Sequence, residues 1–396
     1  MTSGRVLLAV VEGEKVQWRS LGLSSRGLAT LDVPSLDQTV PMPVGSISKV
    51  ITAIALARLA RTGQLDLEEP ASVSSPKAPH SKPSIRDLLA HSGGISPVPS
   101  MRSEKRVLAL PGTQWCYSEP GYRMAIRHAE RVTGYNIRDL ILEQLPMLSS
   151  YDVDAQRFRG HEVIAGTRLT VPPIRPATEG AGWACHGIIA SPAQLVAIAR
   201  SLLADRPILN ALAQPYGSEV GVNPFQGLGF RITYAPGGSW AIHGGQWLGY
   251  HTIFAVGATK SLLLFSDTRF RRPVLRCLLK RELTDHTAGS LPITNQDWSP
   301  PPFRISSNYR FAAAGPLALT AAMHVAHGRQ LQVRRSSDGT LQIAARNQAH
   351  RLSQVDSRGL WSYTIKGEPR LISLSGVPGG FRLVTEQPCC VFSEVD

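Results

Sequence analysis

Val44-Gly45-Ser46-Ile47-Ser48-Lys49 runs directly into Val50-Ile51-Thr52-Ala53-Ile54-Ala55-Leu56-Ala57-Arg58-Leu59-Ala60-Arg61-Thr62-Gly63. The pattern predicts a turn followed by a helix that is apolar on nearly every face until Arg58, and a helix apolar all round is a buried one. Gly63 stands just past Arg58 and Arg61, where a glycine takes the left-handed cap and cations suit the last turn. Ser46 and Lys49 are three residues apart and share one face. They fall in a first turn whose unpaired amides and dipole favour negative charge. A serine nucleophile needs a base within hydrogen-bond reach, and a lysine one turn away supplies it once its own charge is discouraged. The bland alternative is a serine helix cap beside a solvated lysine. Against it stands the cost of placing an ammonium on a buried helix with neither partners nor work.

Outward from this helix, residues 5 to 30 read as two strands joined through Glu12-Gly13-Glu14. Ser84 to His91 opens with a capping-box pattern and ends at Ser92-Gly93-Gly94; His91, closing a short helix, is expected to bond its own loop. Helices are predicted from Gly121 to Thr133, from Ile137 to Leu148 and, behind the Ser191-Pro192 cap, from Ala193 to Leu203. Residues 150 to 180 lack periodicity and read as a long loop. Strands follow at Leu228 to Tyr234, Trp240 to His243, His251 to Val256 and Ser261 to Ser266, then a helix from Arg272 to Leu283. Strands at both ends with helices between them imply an α/β (α+β) class: one mixed sheet sandwiched by helices, with a helical insertion over about 64–185.

Asp297-Trp298-Ser299-Pro300-Pro301-Pro302 marks a linker, taken as 291–304, between a first domain at 1–290 and a second at 305–396. The second consists of short strands: Ala318 to Val325, Gln330 to Arg335, Thr340 to Ala345, Gly359 to Ile365, Arg370 to Ser375 and Phe381 to Thr385. The Ser337-Asp338-Gly339 turn makes a hairpin of the second and third. Regular short strands suggest a small antiparallel barrel.

The formal net charge is +13, with 34 of the 42 basic residues arginine, but they are scattered and no nucleic-acid motif is present. No stretch approaches the length of a membrane span. Arg5 to Glu12 is too short for the apolar core of an export signal, and the expectation is a cytoplasmic protein. Five cysteines, Cys116, Cys185, Cys277, Cys389 and Cys390, show no zinc or disulfide spacing.

The order of several segments resembles the serine β-lactamase and DD-peptidase superfamily, on its class C β-lactamase, family VIII esterase and D-aminopeptidase side. Gly45-Ser46-Ile47-Ser48-Lys49 is similar to the S-x-x-K motif of β-lactamases and penicillin-binding proteins. Ser84 to Gly94 resembles "I-R-x-L-L-x-H-x-S-G". Pro111-Gly112-Thr113 with Tyr117-Ser118-Glu119-Pro120-Gly121-Tyr122 resembles "P-G-x…Y-S-N-x-G-Y", and His243-Gly244-Gly245 stands where such chains have K-T-G or H-x-G. The resemblance spans about 5 to 285, and the C-terminal part is similar to the lipocalin-like barrel appended in some members. It implies a β-lactamase/transpeptidase-like fold and acyl transfer through an ester on Ser46.

In that reading Tyr117 as phenolate or Lys49 as amine takes the Ser46 proton. The amide of Ser46 and one from the strand just after His243-Gly244-Gly245 hold the oxyanion. His243 contacts a substrate carboxylate or supports the Tyr117 network. Trp183, Trp240, Trp247 and Phe225 either wall an apolar acyl pocket or pack in the core. Glu119 replaces the usual Asn: its carboxylate would pair with Lys49 and hold it charged, favouring Tyr117 as base and a cationic or donor-bearing substrate, unless it points elsewhere. No metal or cofactor is implied. The partners are a small-molecule or peptide acyl donor and an amine or alcohol acceptor or water; the alternatives are a hydrolytic D-amino-acid-specific peptidase or amidase or a β-lactamase-like hydrolase, and an inactive scaffold or binding protein. The acyl group, the acceptor and the oligomeric state stay open.

Overall fold

The computed structural model describes residues 3–24, 27–29, 35–71, 82–95, 111–112, 115–148, 160–164, 167–170, 180–218, 221–223, 225–235, 238–270, 274–286, 309–313, 330–335, 341–345, 348–354, 360–365, 368–377, 380–385 and 390–395. The chain forms two compact units. The first takes Met1–Leu67, Ile126–Gln214 and Gly227–Ile293, and the second Glu68–Ala125, Pro215–Gln226 and Thr294–Asp396.

A seven-stranded antiparallel sheet carries the first unit. Its order across is Arg231–Ala235, Gly238–Trp247, Tyr250–Val256, Lys260–Ser266, Ser3–Glu12, Lys15–Ser24 and Gly27–Ala29. The apolar run Val6-Leu7-Leu8-Ala9-Val10-Val11 is buried on both of its alternating faces, so this strand lies between two layers. One face, carrying Val6, Leu8, Val10, Trp240, Ile242, Ile253, Leu262 and Leu264, packs on Leu275, Leu278, Leu279 and Leu283 of the helix Val274–Asp285. Fully burying each such side chain contributes about 1.5–3 kcal/mol. Trp240 therefore belongs to this core. The other face receives the helices Ile47–Arg61 and Pro192–Ala204.

The helix Ile47–Arg61 is buried along its length except at Arg58, Ala60 and Arg61. Gly63, at φ +76°, ends it as expected: its amide donates to Ala60 O at 3.1 Å and that of Gln64 to Leu59 O at 3.0 Å, the Schellman pattern. The capping box at Ser84–Asp87 is present, as is one at Ser191–Gln194.

Other boundaries differ from the sequence reading. The third helix starts at Glu119 rather than Gly121, because Ser118 Oγ accepts from Gly121 N at 3.0 Å and Pro120 fits a first turn. The fourth stops at Gln144 rather than Leu148, since Leu145 precedes Pro146. Within the expected loop over 150 to 180, His161–Ile164 and Thr167–Thr170 are strands that form a three-stranded sheet with Thr268–Phe270. The helix Arg206–Ala213, opened by Pro207, was not anticipated.

In the second unit the C-terminal segment is a nine-stranded antiparallel sheet. Its first and last strands, Tyr309–Ala313 and Cys390–Val395, pair with each other. Its two edges, Gln348–Arg351 and Ser353–Gln354, are joined through the buried Leu352, as closure into an up-and-down barrel requires. Gln330–Arg335 and Leu341–Ala345 pair as predicted. The linker at 297–302, the expected strand at 318–325 and the 337–339 turn lie outside the described residues. Among the described residues no helix is long and apolar enough to cross a membrane.

Candidate active site

Ser46 stands at the N-cap of the helix Ile47–Arg61, yet its side chain makes no capping hydrogen bond. The turn is instead closed by backbone bonds from Ile47, Ser48 and Lys49 to the carbonyls of Val44, Gly45 and Ser46 at 2.9–3.2 Å. Lys49 is 1% exposed. Its Nζ donates to Cys185 O at 2.8 Å, which answers the cost of burying an amine. Cys185 belongs to a single π-helical turn, Trp183–Gly187, a rare element that recurs at functional sites.

Three further bonds fasten that turn, with Ile188 behind it, to the nucleophile helix and the Val44 segment that leads into it. Thr52 Oγ1 donates to Ala184 O at 2.8 Å, Ile188 N donates to Ser48 Oγ at 3.1 Å, and Val44 N donates to Ile188 O at 3.2 Å. Sequence reasoning missed Cys185, Ser48 and Thr52 in this role, because a π-turn has no distinguishing pattern.

The strand Gly238–Trp247 closes the other side. An ideal Cβ on Gly245 would lie 1.9 Å from Val44 O, and one on Gly45, at φ +56°, would lie 2.7 Å from Gln246 N. Two glycines thus allow the two backbones to touch, with Gln246 N the strand atom that an added Gly45 Cβ would meet first. A Cβ on Gly244, by contrast, would meet Thr252 O at an ordinary 4.0 Å.

His243 faces the same side as Gly245. Its Nδ1 lies 2.9 Å from Gly244 O; a carbonyl only accepts, so Nδ1 carries the proton. Burial of the ring first, then the charges of Lys49 and Arg231, push the imidazole down to about 3, against the opposing pull of the Gly244 hydrogen bond. The residue keeps part of its surface in solvent, which tempers the size of the shift but leaves its direction: the ring is neutral at physiological pH.

Trp247 lies at the strand's end, before a Leu248-Gly249 turn with φ of +50° and +81°, the signs a type I′ hairpin needs. Its ring packs on His186, centroids 4.6 Å apart. Trp183 instead receives Arg138, whose guanidinium carbon is 5.8 Å from the ring centroid.

Tyr117 and Glu119 belong to the second unit, where His91 organises their segment. His91 is buried with φ +57°. Its carbonyl accepts from Cys116 N at 2.7 Å and its Nδ1 from Ser118 N at 3.1 Å, so both neighbours of Tyr117 are tied to one residue. The His91 ring packs on Tyr117 at 4.3 Å and on Tyr122 at 4.9 Å. The expectation that His91 bonds its own loop is not met: its carbonyl and its Nδ1 hold the segment 115–118 instead. Replacing His91 by Ala removes the acceptor and leaves a strained backbone, and is expected to lower stability by about 2–3 kcal/mol in urea unfolding. Asn, which tolerates positive φ and offers an acceptor, should recover about half of that.

Glu119 pairs along its own helix: Arg123 Nη2 and Nε donate to its Oε1 at 2.8 and 3.1 Å. Burial raises the Cys116 thiol to about 11. Phe225 is fully buried. Among the described residues no group of three or more His, Cys, Asp or Glu is placed to hold a metal ion.

No curated protein sequence matches the chain. Its fold is similar to that of SurE, at 18% identity over 99% of this chain and 95% of that one with a TM-score of 0.56; a second structure, SurE with D-Leu, gives 19% and 0.51. A D-stereospecific amidohydrolase from Streptomyces sp. matches at 20% identity over 67% of this chain and 89% of that one, TM-score 0.51. A class C β-lactamase from Rhodobacter sphaeroides matches at 15% identity over 71% and 93%, TM-score 0.55. The sequence model of the family described as Beta-lactamase matches residues 3–265, and the chain belongs to that family of serine hydrolases.

Proposed function

We propose that the protein is a serine acyl-transfer enzyme acting on an ester, thioester or amide of a small molecule or peptide. The observation that carries this reading is the buried Lys49 amine, one turn from Ser46 and held by Cys185 O at 2.8 Å. In the first step the base system takes the proton from Ser46 Oγ, either on Tyr117 as phenolate beside a charged Lys49 or on Lys49 as amine. The oxygen attacks the donor carbonyl, and the oxyanion is held by the amides of Ser46 and Gln246. The alcohol, thiol or amine departs with a proton, leaving the ester on Ser46. Water, or an amine or alcohol acceptor, then takes the acyl group and returns the proton to Ser46.

A donor with a D-configured acyl residue is the first choice, supported by the fold shared with SurE, crystallised with D-Leu, and with a D-stereospecific amidohydrolase. Among the described residues Cys116 and the buried Cys185 form no disulfide, which suits a reducing, cytoplasmic setting.

Intact-mass spectrometry tests the reading. A fluorophosphonate and activated esters of D- and L-leucine are expected to add to the wild type and not to Ser46→Ala. Discharge by water alone, or only by added amines and alcohols, then separates hydrolysis from transfer. A folded protein that takes up none of these probes would overturn the assignment and favour a scaffold.

A further inference from the structure

We infer that Gln226 is a positioning residue for Tyr117, acting through the indole of Trp115. This rests on the acyl-Ser46 reading with Tyr117 as the phenolate base, and it names what aims that base.

Residues 115–118 are neither helix nor strand, so the course of this segment depends on bonds from elsewhere in the chain. His91 supplies them to the backbone, through its carbonyl to Cys116 N and its Nδ1 to Ser118 N. The Tyr117 ring is flanked by two others. His91 lies 4.3 Å away and Trp115 6.5 Å, centroid to centroid, and His91 and Trp115 meet edge-on at 6.1 Å, all within the range of aromatic pairing. Trp115 is fastened in turn. Its Nε1 donates to Gln226 Oε1 at 2.8 Å. An indole has that one donor and no acceptor, so this bond sets the way the ring points.

Gln226 is itself a fixed acceptor. It is 3% exposed, and its backbone carbonyl accepts from Tyr216 N at 2.6 Å. The Tyr216 hydroxyl donates to Asp87 Oδ1. Asp87 closes the capping box of Ile85–Leu89, the helix that runs into His91. The contacts thus form a closed circuit within the second unit: Tyr117, His91, Asp87, Tyr216, Gln226, Trp115 and Tyr117 again. Opening it at Gln226 leaves both His91 bonds in place. The segment then keeps its course, while Trp115, and Tyr117 packed beside it, gain freedom to turn. A misplacement near 1 Å costs about 100-fold, so a base kept on its segment but less firmly aimed should lose about tenfold.

Gln226→Met removes the acceptor at similar length, and Trp115→Phe removes the donor but keeps an aromatic ring. Both are tested in the full chain by following acylation of Ser46 by mass, with an activated ester of D-leucine. Each is expected to lower kcat by about tenfold with KM nearly unchanged. The double variant should be no slower than the slower single, since both remove one bond. In a Tyr117→Phe background Gln226→Met should change kcat by less than about twofold, because its effect runs through Tyr117. A merely structural role would raise KM as well and would persist without Tyr117. Either single variant decides if the other fails to fold, and the kcat-against-KM split decides if Tyr117→Phe acylates too slowly to follow. Wild-type kcat in the folded single variants, the same loss without Tyr117, or a Tyr117→Phe protein as fast as wild type overturns the inference while acyl-Ser46 stands. No acylation of the wild type by any ester or thioester overturns the acyl-enzyme reading and this inference with it.

Discussion

Replacing Gly245 by alanine is expected to lower kcat/KM by about 100-fold and stability by about 1–3 kcal/mol, in line with overpacking and with a misplacement near 1 Å. The added methyl would lie 1.9 Å from Val44 O, 3.0 Å from Ile47 Cγ1 and 3.1 Å from Ile47 N. Two of those three atoms are backbone, and the carbonyl also accepts the Ile47 amide that begins the turn. No side-chain rotation relieves the clash, so either the strand or the Ser46 turn must move. Movement of either one separates Gln246 from Ser46, the pair of residues assigned to the oxyanion.

Gly244 provides the control inside the same motif. Among the described residues its ideal Cβ meets Thr252 O alone, at 4.0 Å, and alanine is less costly to order than glycine. Gly244→Ala should therefore keep the wild-type urea midpoint or raise it slightly. Matched unfolding curves and Ser46 acylation rates for the two variants check the argument. A Gly245→Ala protein with wild-type rate and midpoint would show that this close approach places nothing.

The nucleophile helix was legible in the sequence because its signals agree: a Gly-Ser turn, continuous apolar residues, terminal arginines and Gly63. The central sheet was legible for a related reason. Its strands are buried on both faces, so Leu262-Leu263-Leu264-Phe265 reads as a strand without any alternation. Gly238–Trp247 was read too short, ending at His243 rather than Trp247. Gly244 and Gly245 look like a break by propensity, but pairing with Ile253 and Thr252 carries the strand on. The tautomer of His243, the Cys185 carbonyl at Lys49 and the Glu119–Arg123 pair depend on the position of one atom. Composition and spacing do not encode that. The Glu119–Arg123 pair at i,i+4 does have a local signal, but the predicted helix began at Gly121 and so left Glu119 outside it.

Lys49→Met should reduce acylation of Ser46 by about 1,000-fold while leaving the fold almost as stable as wild type, since positioned proton transfer contributes about 10²–10⁴-fold. Methionine roughly matches the length of the buried lysine and leaves no large cavity, unlike alanine, for which a loss of about 2–5 kcal/mol is expected. Two effects on stability then oppose each other. Removing a buried amine lifts its desolvation penalty, but Cys185 O loses its donor, at about 1–3 kcal/mol for an unsatisfied buried acceptor. The thermal midpoint should thus stay within a few degrees. A spectroscopic change accompanies it: the Lys49 charge is one cause that depresses His243, so in the variant the His243 ring titrates at higher pH, though burial still holds it below its ordinary value. Imidazole nitrogen shifts followed by NMR against pH would show this directly. Acylation within tenfold of wild type would remove Lys49 from the base system and leave Tyr117 to act there. An unmoved His243 titration would mean that the Lys49 charge does not reach the ring.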